Sequence, residues 1–221
     1  MSSRQQDFER VISALTRPLN GQLPRPWMTD MTNPLEASVF IVGKNQAKAF
    51  VESRLEHSRH LNGLFNRSGE TARSIYNEMT DGKLSPTRAN TDAFREILRA
   101  VAVTQILETN VVCYSTPMSV DLLTKQHADG ASKGTEIFRT LLAFIQPKVI
   151  IAHGSGTGRD LSKILGTNLP PPPKVSKAPE PVIVSGMAVF VIPSLAPPEW
   201  NKWCGWAPKY LTAVAQKIAL L

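Results

Sequence analysis

Apolar positions along this chain follow a helical period in some stretches and form short continuous runs in others. Phe8, Val11, Ile12 and Leu15 recur at helical spacing, so residues 7–15 read as a short amphipathic helix. Pro18, Gly21, Pro24 and Pro26 then break the chain into a loop. Residues 38–43 (SVFIVG) form an apolar run closed by glycine, the pattern of a buried strand. Residues 46–55, 70–79 and 91–101 read as helices, the last with Asp92 near its start. A second strand is predicted over the β-branched run 105–112, and a helix over 133–145 that stops at Pro147. Residues 148–152 are a third strand, followed by the turn Gly154-Ser155-Gly156-Thr157-Gly158 and a helix over 159–165. The prolines at 170–173 mark a polyproline-like excursion. Residues 182–184 read as a short strand, 187–192 as the last strand and 208–220 as the last helix.

Strands alternating with helices predict a parallel sheet covered on both faces. The expected fold is one α/β domain over residues 1–221, a three-layer α/β/α sandwich around a central, mainly parallel four-stranded sheet. In such sheets the site lies beyond the carboxyl ends of the strands. The informative segments are therefore 43–47, 110–117, 153–158 and 192–198.

Composition narrows the class. With 42% hydrophobic and 19% charged residues in 221, the chain is an ordinary globular protein that can bury a full core. Two Cys supply neither a disulfide framework nor a four-thiolate metal site. No apolar run is long enough to span a membrane. Residues 1–7 lead into a polar helix without a signal-peptide core, so a reduced cytoplasmic compartment is the expectation. Lys and Arg exceed Asp and Glu, giving a formal charge of +7. Such a balance favours a polyanionic partner, nucleic acid first; the alternative is a solvated surface with surplus cations. Lys44, Lys48, Arg54, Arg59, Arg67, Arg73, Lys83, Arg88 and Arg95 lie in a stretch rich in Ser, Asn, Thr and Gly. That setting suggests phosphate-contacting loops.

Five motifs, with the segments Ile75-Tyr76-Asn77-Glu78-Met79 and Cys204-Gly205-Trp206 in order, carry a family resemblance. Gly43-Lys44-Asn45-Gln46-Ala47 follows the first strand, Thr109-Asn110-Val111-Val112 stands at the second, and Gln146 to Gly154 spans the third. Ile192-Pro193-Ser194 closes the last strand, and Leu64-Phe65-Asn66-Arg67-Ser68-Gly69 lies between. Together they resemble the uracil-DNA glycosylase superfamily over about residues 35–220. Gly43 to Gln46 resembles the superfamily's Gly-x-(Asp/Asn/Ala)-Pro, with Gln46 in place of Pro. Phe65 to Gly69 resembles Phe-x-Gly-Arg-x-Gly, with the Phe one residue out of register. The superfamily has His-Pro-Ser where this chain has Ile192-Pro193-Ser194. Members with an iron–sulfur cluster need four Cys, and this chain has Cys113 and Cys204 alone.

The resemblance implies a DNA repair enzyme: a monofunctional N-glycosylase that flips uracil, or a related deaminated base, and hydrolyses its glycosidic bond. It implies DNA as partner, with no metal and no cofactor. Asn45 would position the attacking water through its amide oxygen, without acting as a titrating base. Asn110 would read the base edge, since an amide pairs both N3–H and O4 of uracil. Gly43 and Lys44 would line the base pocket and Phe65 would stack on the base. Arg67, Ser68, Ser155 and Ser194 would contact DNA, and Leu195 would fill the vacated stack. At Ile192 the superfamily's histidine binds the base O2; isoleucine cannot, and Arg67 or His153 is a candidate replacement. His153 otherwise reads as a strand-end histidine satisfied by backbone. The alternative reading is a catalytically weak member that recognises damaged or single-stranded DNA.

Overall fold

In the strand Val39–Gln46, alternate residues enter two different cores. Phe40 and Val42 pack with Ile12, Leu64, Ile75, Phe138 and Leu161, whereas Val39 and Ile41 pack with Phe94, Leu98, Leu211 and Val214. That two-sided alternation makes the run continuously apolar and puts helices on both faces of one sheet. The computed structural model describes residues 3–221. Met1 and Ser2, part of the N-terminal stretch read as leading into a helix, lie outside the described residues.

In chain order the strands are β1 (Gln22–Leu23), β2 (Val39–Gln46), β3 (Phe50–Val51), β4 (Ile106–Ser115), β5 (Val149–His153), β6 (Val182–Val184) and β7 (Met187–Ile192). The helices are α1 (Ser3–Leu15), α2 (His57–Leu64), α3 (Ala72–Met79), α4 (Pro86–Ala100), α5 (Gly130–Ile145), α6 (Ser155–Leu165), α7 (Glu199–Trp203) and α8 (Ala207–Ile218). The central sheet has the order β4-β2-β5-β7-β6, parallel except for β6. It has five strands rather than the expected four. Ser185 and Gly186 both adopt positive φ, which lets a two-residue turn fold β6 back antiparallel onto β7. No helix among the described residues is long and apolar enough to cross a membrane.

Residues 46–55 are not the expected helix. Gln46 ends β2 at a bulge, and Phe50–Val51 pairs antiparallel with β1. The side chain of Gln46 is buried, donating to the Arg25 carbonyl and accepting from Ser115 Oγ at 3.2 Å. It ties the N-terminal loop to β4, which a helical turn here would prevent.

Most of the basic stretch is also not a phosphate-contacting loop. Arg59 pairs with Glu70 and Glu78, and Arg67 with Glu9. Arg73, Arg88 and Arg95 converge on buried Glu108, with Asp92 and Asp30 around them. These guanidinium groups have carboxylate partners within the fold.

His60, fully buried on α2, holds its Nε2 2.9 Å from the Pro24 carbonyl and meets the Phe50 ring edge-on. Desolvation pushes its pKa down to about 4, although the Pro24 contact opposes this. The folded state keeps the ring neutral, whereas the unfolded chain takes up a proton near pH 6.5. Its contribution is therefore complete above pH 6.5 and is lost as the pH falls towards 4. His60→Gln, which can still donate to Pro24, should lose about 2–3 kcal/mol less stability than wild type between pH 7 and pH 4.5. Urea unfolding at the two pH values measures this, and an equal loss in both proteins would contradict it.

Candidate functional site

β2 and β4 run further than β5. The β2–β5 pairing covers Val39 to Val42, while β2 stays paired with β4 through Gly43 and Asn45. Beyond Val42, β2 has lost its neighbour on one side. Successive connections also leave β2 and β5 towards opposite edges of the sheet, which opens a crevice at their carboxyl ends. A cavity of about 1080 Å³ lies there.

Gly43 forms its floor. A Cβ added to it would stand 2.5 Å from Asn110 Oδ1, closer than side chains pack, and 3.1 Å from His153 Nε2, a tight contact. The absence of a side chain at Gly43 thus lets an amide and an imidazole converge over one backbone position. Asn110 is opposite Gly43 in the β2–β4 register. It sits inside β4, not after it, because the strand continues through Val111 to Ser115. His153 ends β5 and pairs in register with Ile192 of β7. Its Nδ1 is buried with no hydrogen-bond partner, contrary to the backbone-satisfied reading. Burial, then the charge of Arg88, lowers its pKa to about 4, so the ring is neutral at physiological pH.

Asn45 is on the cavity wall with its amide held at both ends. Nδ2 donates to Thr116 Oγ1 at 2.8 Å, and Oδ1 accepts from Ser119 Oγ at 2.8 Å. Oδ1 retains a second acceptor site for water. Lys44 lies along Gly156, its Nζ 3.8 Å from Asp160. Ser155 opens α6, whose N-terminus has no side-chain cap and borders the cavity, a setting that favours anions. Gly154, at φ +92°, lies against Ser194, whose Oγ accepts from the Ala196 amide at 3.1 Å. Gly43, Lys44, Asn45, Asn110, Ser155 and Ser194 therefore share one cavity.

Four other expected site residues are elsewhere. Phe65 is buried against Phe8 and Trp27, both edge-on to it, so it cannot stack on a base. Arg67 pairs with Glu9 and covers the Phe65 ring. Ser68 occupies an exposed left-handed turn. Leu195 is fully buried in the α4/α8 core and cannot serve as a wedge. Trp203 is buried in that core too; it meets Trp200 and Trp206 and donates to the Ser194 carbonyl at 2.8 Å. Cys113 is a buried thiol pushed up to about 11 by desolvation, hence unreactive.

Arg25, Tyr76 and Trp27 line the cavity without having been expected there. Trp27 donates to the Leu64 carbonyl at 2.9 Å, which fixes the Pro-rich loop against α2. Nothing local in Leu23-Pro24-Arg25-Pro26-Trp27 announces a site. No family model matches the chain, and no curated protein matches it.

Proposed function

We propose that this chain is a divergent uracil-DNA glycosylase-like hydrolase, with the superfamily's layered fold, that removes uracil or a related deaminated base from DNA. The observation that carries this reading is the meeting of Asn110 and His153 over Gly43 at the carboxyl edge of the sheet. A pyrimidine extruded from the stack needs paired donors and acceptors and a shaped pocket. Asn110 offers an amide donor and acceptor to the base edge. His153, neutral and lacking a partner at Nδ1, offers an imidazole at the level of Ile192, one strand across. Asn45 orients the water. Ser155, Ser194 and the α6 N-terminus hold flanking phosphates.

Incubating purified protein with a uracil-containing oligonucleotide, then alkali, tests the reading. Strand breaks that require both uracil and alkali are expected; breaks without alkali, or none at all, would contradict it. A second reading, binding without cleavage, draws on Asn45, whose amide is already engaged by Thr116 and Ser119. It is distinguished by retention of uracil DNA with no alkali-labile site.

Lys44, Lys48, Lys174 and Lys202 line the cavity. If these four contact phosphates, the slope of log K against log salt should be about −3. Fluorescence anisotropy from low to moderate salt measures it. A flat response would remove DNA as the partner, and a slope near −8 would place the internally paired arginines on the DNA as well.

A further inference from the structure

Arg25 differs from the arginines of the Glu108 cluster. Arg73, Arg88 and Arg95 each reach Glu108. Arg25 is 8% exposed, its Nη1 is buried with no hydrogen-bond partner, and it forms no ion pair among the described residues. Its guanidinium is 4.8 Å from the Phe50 ring centroid and 5.1 Å from that of Tyr76. Two aromatic faces offset part of the cost of burying a cation, but they supply no acceptors. The backbone around it is fixed: Gln46 binds the Arg25 carbonyl, and the Met28 amide donates to the Glu108 carbonyl at 2.9 Å. Desolvation lowers its pKa to about 10, with Tyr76 and Glu108 opposing and Arg88 reinforcing the shift, so it remains cationic at neutral pH. Arg25, Arg88 and His153 all line the cavity, and Arg88 lowers the pKa of both of the others.

A fixed, desolvated cation without a partner on a cavity wall calls for an anionic ligand. We propose that Arg25 is the counter-ion for an anionic pyrimidine base held in this cavity, the charge that Ile192 cannot stabilise. The assignment rests on the glycosylase reading above. The bond from C1′ of the sugar to N1 of the base breaks, and its electron pair leaves with the base as a delocalised anion. The water oxygen bonds to C1′ and releases one proton to solvent. The base anion, paired with the guanidinium, takes up a proton from solvent on departure, so one water is consumed per base released. A planar fork of N–H donors matches two in-plane acceptors of such a ring better than a lysine would.

Single-turnover release from oligonucleotides carrying uracil or 5-fluorouracil tests this in the wild type, Arg25→Met and Arg25→Lys. Fluorine makes the base a better anionic leaving group and lessens the need for a cation. Arg25→Met should slow uracil release by about 10²–10³-fold, the scale of losing one donor to a developing anion. It should slow 5-fluorouracil release clearly less, with Arg25→Lys between. Equal slowing on both bases, or none, overturns the assignment and leaves the glycosylase reading intact. Calorimetry with free 5-fluorouracil, below and above the pH at which it ionises, needs no turnover. The wild type should bind the anion about tenfold or more tighter than the neutral base. Equal affinity for both forms, or displacement by inorganic phosphate, overturns the assignment. A wild type that releases neither base, yet prefers the anion in a way that Arg25→Met loses, removes the glycosylase reading and keeps Arg25 as an anion site; a preference that survives in folded Arg25→Met overturns the assignment.

Discussion

Replacing Glu108 with leucine should destabilise the protein by about 3–5 kcal/mol, the usual cost of removing one partner from a buried charge cluster. Glu108 is buried in β4 and accepts from Arg73 at 2.8 Å and from Arg88, while Arg95 Nε stands 3.1 Å away. Without it, three guanidinium groups on α3 and α4 face each other with Asp92 and Asp30 left to balance them. The helices would separate, or water would enter between them. Asp30→Asn is the contrast. The Asp30 side chain is 47% exposed where it meets Arg95 and Arg99, so its loss should cost about 0–1 kcal/mol. Urea unfolding of both variants measures the difference. A Glu108→Leu protein within about 1 kcal/mol of wild type would mean that the cluster is solvated and carries little of the fold.

Gly43→Ala should reduce base release by about 10²-fold while leaving the protein folded. The added methyl would stand 2.5 Å from Asn110 Oδ1 and 3.1 Å from His153 Nε2, so both groups must shift away from the base. Asn110→Asp tests the same place by chemistry. It substitutes an acceptor for the amide donor, so it should lose uracil and tolerate a base that presents an amino group. The expected change in discrimination is about 1–3 kcal/mol, the cost of an unsatisfied buried partner. Single-turnover rates on uracil and cytosine oligonucleotides decide both. Wild-type rates in Gly43→Ala, or an unchanged base preference in Asn110→Asp, would move the base site elsewhere.

What could be read from the sequence follows from how local each signal is. β2, β5 and β7 are apolar runs buried on both faces, and their pattern survives any detail of packing. α2 (His57–Leu64) carries no such signal. It has two histidines, a glycine and no side-chain N-cap, and it is held by burying His60 and Leu64. Gly43, Asn45 and Asn110 share one cavity because β2 and β4 stay paired beyond the point where β5 leaves β2, although Asn110 lies inside β4 and not at its end. Phe65 could not be, since one residue of register decides between the cavity and the Phe8–Trp27 cluster. Leu195 looks exposed in a Pro-rich segment, yet it is the residue over which the α4/α8 core closes. The basic stretch reads as free because three of its carboxylate partners, Glu9, Asp30 and Glu108, lie outside it, and because the fold decides which arginine meets Glu70, Glu78 and Asp92 within it. Arg25 reaches the cavity only because Gln46, Trp27 and Met28 anchor its loop.

The most direct test is the position of a bound base. A crystal structure of the protein with single-stranded DNA carrying a non-hydrolysable uracil analogue should show the base flipped into the cavity. Its edge should be on the Asn110 amide, its ring beside Gly43 and His153, and a water on Asn45 Oδ1. A base left in the stack, or one bound away from Gly43 and Asn110, would contradict the account.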